Sequence, residues 1–245
     1  MIAAENITKK YGYFTALERI SFEIYRGQIV GFLGQNGAGK TTLMRILTGY
    51  LSASDGKAFI AGEEVRGHSL FIKKKIGYLP ENPPLYLNMP VKDYLTFAAR
   101  LKDVPKDILA KRVDRVMQEC QLTDVRHKVI GILSRGYKQR VGIAQAIVND
   151  PDILILDEPT NGLDPVQIIQ VRKLIKSFEH KRTVIVSTHI LSEIEQVAQR
   201  IIMLKNGRII ADQNTADLLK GPQEQKRTLE EVFLGFMDSK ETISE

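Results

Sequence analysis

Ile29-Val30-Gly31-Phe32-Leu33-Gly34-Gln35-Asn36-Gly37-Ala38-Gly39-Lys40-Thr41-Thr42-Leu43-Met44-Arg45-Ile46-Leu47 is the stretch whose reading decides the fold. Ile29 to Leu33 is a short apolar run of the kind a buried strand carries, and Thr42 to Leu47 continues with helical spacing. The glycine-rich turn between them therefore joins a strand to a helix. Glycines at 34, 37 and 39 let the backbone turn tightly enough for consecutive N–H groups to converge on phosphate oxygens, and the start of the following helix adds its positive end. Gly34, Gln35, Asn36, Gly37, Ala38 and Gly39 form the nest. In it Lys40 is a point charge for β and γ phosphates, Thr41 offers its hydroxyl to Mg²⁺, and Thr42 can donate to a phosphate nearer the ribose.

Outward from this turn, Ile2 to Ile7 and Ile20 to Tyr25 alternate or cluster like strands, and Ala58 to Ile60 with Gly62 reads as another strand and turn. From about Pro84 to Lys138 the period becomes helical, through Val91, Tyr94, Leu95, Ala98 and Leu101 and then Leu109, Val113, Val116, Met117 and Cys120. This predicts an inserted helical lobe. Ile153 to Leu156 and Thr183 to Ser187 are continuous apolar or β-branched runs suited to a parallel sheet, with the amphipathic Val166 to Phe178 as the crossover helix. Arg200 to Leu204 and Arg208 to Asp212 flank Asn206-Gly207, which predicts a hairpin. Residues 1 to 220 are read as one α/β domain. Residues 221 to 245, from Gly221-Pro222 on, are read as a polar tail, loosely held apart from a short helix around Leu229 to Phe236.

Asp157 and Glu158 follow Ile153-Leu154-Ile155-Leu156, at the carboxyl end of a strand, where open α/β sheets place ligand chemistry. A lone Asp-Glu pair is more often surface charge. Beside the nest, Asp157 is placed to hold Mg²⁺ and Glu158 to orient and partly deprotonate the water that attacks the γ-phosphorus. Leu133-Ser134-Arg135-Gly136 precedes a helical run from Tyr137 to Val148, so Ser134 is a natural N-cap and the helix start can receive an anion.

The chain has 245 residues with 43% hydrophobic content, enough for one large domain with a buried core. No apolar run approaches the roughly 18 to 20 residues that span a bilayer, and Met1 to Lys10 lacks the charged-then-apolar order of a signal peptide. A cytoplasmic protein is expected. The single cysteine, Cys120, reads as a reduced core thiol beside Val116 and Met117. A formal charge of +6 invites a nucleic-acid partner, but the densest basic run, Lys73-Lys74-Lys75, is short and carries no interleaved aromatics for base stacking. A solvated helix face is the better reading, and no nucleic-acid partner is expected.

Taken together, the nest at Gly34 to Thr41, the Leu133-Ser134-Arg135-Gly136 segment and Ile153 to Glu158 resemble the ATP-binding subunit of ABC transporters, over about Ile2 to Leu219. The resemblance implies a P-loop NTPase core of ABC ATPase type, with an N-terminal antiparallel β subdomain and the helical lobe, about 84 to 138, inserted into it. It implies ATP and Mg²⁺ as ligands. It also implies a second ATPase subunit, expected to be an identical chain, and integral membrane permease subunits that hold the protein on the inner face of the membrane. In that family Ser134 and Gly136 would contact the γ-phosphate held on a partner's Lys40. Tyr11, in Lys10-Tyr11-Gly12, matches the aromatic that stacks on adenine, although an aromatic there is equally read as packing. Asp164, in Gly162-Leu163-Asp164, matches the loop that couples the two sites, and His189 matches the histidine that senses the γ-phosphate.

Two departures stand out. Ile76-Gly77-Tyr78-Leu79-Pro80-Glu81 carries glutamate where most relatives carry glutamine, and Glu81 can still coordinate Mg²⁺, with a full negative charge. The signature has Arg135 and Tyr137 in place of the usual second glycine and glutamine. These features, with Leu229-Glu230-Glu231-Val232-Phe233 near the end, are similar to the ABC-2 export branch, including gliding-motility-type ATPases. The rival is a soluble ABC protein that acts as a nucleotide-gated clamp or scaffold, ribosome-associated or in cluster assembly, without transport.

Overall fold

The computed structural model describes residues 1–66, 70–220 and 227–238. Its strands form two sheets. The first is antiparallel and pairs β2 (Phe14–Ile24), β1 (Ile2–Tyr11), β4 (Asp55–Ile60) and β5 (Glu63–Glu64) in that order. The second runs β10 (Arg208–Asn214), β9 (Arg200–Lys205), β3 (Ile29–Leu33), β8 (Thr183–Thr188), β7 (Ile153–Asp157) and β6 (Ile76–Leu79), parallel except for β10. The antiparallel N-terminal sheet, the mixed nucleotide-type sheet and the helical lobe are thus all present.

Helix α1 (Lys40–Leu47) follows β3 through the glycine turn and buries Leu43, Met44, Ile46 and Leu47. These residues join Ile2, Ile7, Leu17, Ile20, Phe32 and Ile155 in one core between the sheets, where the rings of Phe22 and Phe32 meet edge to face at 5.2 Å. The strands of the second sheet are apolar on both faces because each face is covered. Its other face packs on α5 (Arg135–Ile147), α6 (Pro165–Lys176) and α7 (Leu191–Val197). Helices α3 (Val91–Leu101) and α4 (Lys106–Glu119) lie between β6 and α5 in the chain and pack on each other and on α5. A six-residue helix, α2 (Leu70–Lys75), leads into β6 and carries the lysine run, with Lys74 paired to Asp103 and Lys75 to Asp152. The solvated-face reading holds.

Element boundaries moved where burial is light. β1 continues past Ile7 to Tyr11 and turns at once into β2 through a hairpin that pairs Tyr11 with Phe14, a segment whose side chains are largely exposed and which shows little apolar alternation. The Asn206-Gly207 hairpin forms as expected, with φ of 49° and 75° at the two turn residues. Its Gly207 carbonyl accepts from the Glu18 N–H at 2.8 Å, which ties the second sheet to the first. Cys120 caps α4, and burial pushes its thiol well above the usual range.

Of the tail, Gly221-Pro222 and residues 239–245 lie outside the described residues. The expected short helix is present, as α9 (Leu229–Asp238), and it is docked. A reciprocal cap joins Thr228 and Glu231, and Leu229, Val232 and Phe233 are buried beside α7. Between α7 and α9 in the chain stands a short helix, α8 (Thr215–Leu218).

Helix α5 is held against β6 by a close backbone approach. A Cβ on Gly77 would lie 2.4 Å from the Ala146 carbonyl oxygen, which cannot yield without moving the helix. Gly77→Ala is therefore expected to destabilise the chain by about 2 kcal/mol or more, read as a lower denaturant midpoint at unchanged slope.

Candidate functional site

The parallel register brings the carboxyl ends of β3, β7 and β8 to one edge of the sheet, with Leu33 opposite Thr188 and Asp157 opposite Ser187. At that edge the chain leaves β3 into Gly34. A Cβ on Gly34 would sit 2.5 Å from the Leu204 carbonyl oxygen, and Gly39, at φ 102°, would push one into Leu17 and the Ala16 carbonyl. Both positions exclude side chains, and the loop can wrap only as glycine. No side chain caps α1, so its first-turn N–H groups are free to face an anion.

Lys40 folds back over the loop and is 5% exposed. Its Nζ donates to the carbonyls of Gly34 at 2.7 Å and Gln35 at 3.2 Å, and lies 3.4 Å from Glu158 Oε1. The other oxygen of Glu158, Oε2, is 2.9 Å from His189 Nδ1. Glu158 stands at φ 48°, in the left-handed region, and its N–H donates to the carbonyl and hydroxyl oxygens of Ser187 at 3.0 and 3.1 Å. That backbone turn directs the carboxylate back over the sheet edge toward the lysine.

Asp157 is fully buried. Its Oδ1 accepts from Ser187 Oγ at 2.5 Å and Thr41 Oγ1 at 3.3 Å, while Oδ2 has no hydrogen-bond partner. Burial pushes the carboxyl up from its usual range, the hydrogen bonds from Ser187 and Thr41 oppose the shift, and the charges of Glu158 and Glu81 add to it. Glu81 lies past the end of β6, and its Oε1 accepts from Asn161 Nδ2 at 3.1 Å. An unpartnered carboxylate oxygen beside a threonine hydroxyl, with a second carboxylate in electrostatic reach, is a donor set that suits a hard divalent cation.

Lys40, Thr41, Glu81, Glu158, His189 and Gly39 line one cleft of about 500 Å³, together with Thr42, Asn36 and Tyr11, and the buried Asp157 is joined to that lining through its bond with Thr41. Tyr11 sits at its rim, 47% exposed, with Lys9 Nζ 5.2 Å from its ring centroid. Phe14 and Asn161 also line the cleft, and sequence reasoning singled out neither. Phe14 carries no sequence signal of its own and reaches the cleft by pairing with Tyr11 across the tight hairpin, whereas the signal for Asn161 was its place just after Glu158-Pro159-Thr160.

Ser134, Gly136 and Asp164 do not line the cleft. Ser134 N-caps α5 by accepting from the Tyr137 N–H, and Asp164 N-caps α6 by accepting from the Gln167 N–H at 2.9 Å. The two loops touch each other. A Cβ on Gly136 would meet the Gln167 side chain at 2.5 Å, and the Arg135 guanidinium occupies the space where a Cβ on Gly162 would fall. Tyr137 gives its hydroxyl to Asp124 and its ring face to Arg140, 4.2 Å away. The structure thus separates the expected site residues into a cleft and a second, distinct surface.

Residues 17–161 match the ABC transporter family. The chain belongs to that family. It is 40% identical over 220 residues to the ABC transporter ATP-binding protein YhcH of Bacillus subtilis, covering 89% of this chain and 71% of that protein. It is 36% identical over 234 residues to the lantibiotic transport ATP-binding protein SrtF of Streptococcus pyogenes, covering 95% and 96%. A dimeric bacterial ABC transporter cassette superposes with a TM-score of 0.79 at 26% identity, over 88% of this chain and 99% of that one. The chain is accordingly an ATP-binding protein of the ABC transporter family, an ATPase that hydrolyses ATP to ADP and phosphate. Among the described residues no helix is long and apolar enough to cross a membrane.

Replacing Lys40 by alanine removes the one cation inside the nest. Lys40→Ala is expected to weaken ATP binding by about tenfold or more in a calorimetric titration, and unchanged affinity would show that the loop does not hold the phosphates.

Proposed function

We propose that two copies of this chain close head to tail over two ATP molecules and drive an exporter of the ABC-2 kind, each cleft being completed by Ser134 and Gly136 of the other copy. The observation that carries this reading is the split of the site. The cleft brings together Asn36, Gly37 and Gly39 of the phosphate nest, Lys40, Glu158 and His189, with Asp157 bonded to its Thr41, whereas Ser134 at the head of α5 lies outside it.

In this reading the N–H groups of Gly34 to Gly39 cradle the phosphates, Thr42 donates to one nearer the ribose, and Tyr11 stacks on adenine. Thr41, Asp157 and Glu81 would hold Mg²⁺, which supplies charge neutralisation at the β and γ phosphates. The orphan Oδ2 of Asp157 supports that assignment. The γ-phosphate competes with Glu158 for Lys40, and transfer of the lysine to phosphate releases Glu158 Oε1. His189 keeps hold of Oε2 and is placed to report whether a γ-phosphate is present. A water attacks the γ-phosphorus in line, its proton goes to Glu158 Oε1, and the bond from phosphorus to the ADP oxygen breaks. Loss of the shared γ-phosphate removes the charge that bridges the copies, and the dimer opens. The Asp164 loop, packed on the signature of its own chain, couples the two sites.

The membrane subunits meet the helical lobe and the loop around Glu81, at the inner face of the membrane. Exposed Tyr86, Leu87, Val129 and Ile132 give that region an apolar surface between Glu81 and Ser134. The likeness to a lantibiotic transport protein supports export as the direction.

Glu158→Gln keeps the cradle and removes the base. It is expected to bind ATP normally, to lose about 100-fold or more of its turnover, and to elute as a stable dimer with ATP. Near-normal ATPase activity would reject Glu158 as the base. Mixing chains that carry Ser134→Ala with chains that carry Lys40→Ala should restore one competent cleft per mixed dimer. No recovered activity would argue against sites shared between copies.

A further inference from the structure

Glu193 is a carboxylic acid in a place built for hydrocarbon. It lies on α7, is 6% exposed, and shares a small cavity with Pro159, Ile175, Val186, Ile194 and Val197. Arg172 borders the same cavity and makes no ion pair with it. Burial pushes the carboxyl up from its usual range, opposed by a hydrogen bond with Thr160 and by the charge of Arg172. A buried carboxyl of this kind costs stability relative to a leucine of similar volume. Thr160 Oγ1 donates a hydrogen bond to Glu193 Oε2, joining two groups that are both almost wholly buried.

Thr160 is two residues after Glu158, and Glu193 is four residues after His189. The bond therefore links the segments that carry the two groups flanking the γ-phosphate position. Glu158 stands at φ 48°, a left-handed conformation that costs a non-glycine residue about 1 kcal/mol or more and persists only where its surroundings fix it from both sides. On the amino side, Ser187 fixes it by accepting from its N–H. On the carboxyl side, its carbonyl accepts from the Asn161 N–H at 3.1 Å, Asn161 Nδ2 donates to Glu81, and Thr160 ties the segment to α7.

Building on the assignment of Glu158 as the base, we propose that Glu193 is a positioning residue for ATP hydrolysis: it anchors Thr160, and through it holds the strained Glu158 in register with His189. Glutamine at 193 keeps an acceptor oxygen at the same reach, alanine does not, and valine at 160 keeps shape without the hydroxyl.

The test is steady-state ATPase kinetics of the full chain. Glu193→Ala and Thr160→Val are expected to lower kcat by about 10- to 100-fold with KM for ATP within about twofold, as misplacement of a reacting group does. Glu193→Gln and Thr160→Ser should restore most of the rate, and the double variant Glu193→Ala/Thr160→Val should be no slower than either single one. Wild-type kcat in Thr160→Val, or additive losses in the double variant, would overturn the proposal. If Glu193→Ala does not fold, the Thr160→Val and Thr160→Ser pair decides alone. Glu158→Gln, assayed in parallel, separates the two readings. Full turnover there removes the base assignment, while a dead Glu158→Gln beside an active Thr160→Val removes only the role of Glu193.

Discussion

Strand β8 is the piece on which the site depends. It lies between β3 and β7 in parallel register, and its last residues meet both neighbours at once: Thr188 opposite Leu33, Ser187 opposite Asp157. Ser187 uses its hydroxyl and carbonyl to hold the Asp157 carboxylate and the Glu158 N–H, and His189 follows directly. Segments far apart in sequence thereby end within hydrogen-bond reach of one another. A slip of one residue would send Asp157 to the opposite face and break all of these bonds together.

Charge within the cleft is arranged as a competition. Asp157 and Glu158 are adjacent and both buried, and the Lys40 ammonium is close to Glu158 alone. A buried ion pair of this kind is weak as a stabilising device, because desolvation offsets much of the attraction. Its value lies in being exchangeable. A phosphate oxygen can replace Glu158 on Lys40 with little change in the buried charge around the lysine, so arrival of the substrate and release of the base become one event.

The surface at Ser134 and Arg135, with Gly136 buried behind it against Gln167, has a different logic. The Arg135 guanidinium lies on Gly162. The loop from Asn161 to Asp164 therefore touches Glu81 at one end, through Asn161, and the start of α5 at the other. In the composite site proposed above, one copy's cleft is mechanically continuous with the surface that it presents to its partner.

What the sequence by itself determined was whatever depends on local backbone chemistry and period. The glycines at 34 and 39, the apolar runs of β3, β7 and β8, the cap at Ser134 and the hairpin at Asn206-Gly207 follow from residue types a few positions apart, and they were legible. The exposed hairpin that pairs Phe14 with Tyr11, the docking of α9 on α7, the hold of Asn161 on Glu81 and the bond from Thr160 to Glu193 were not. Each joins residues with no local signature, and a buried glutamate on a short helix reads in one dimension as an ordinary charge. Only the tertiary structure decides such pairings, because burial removes water as the competing partner and leaves each polar group with the neighbour that packing supplies.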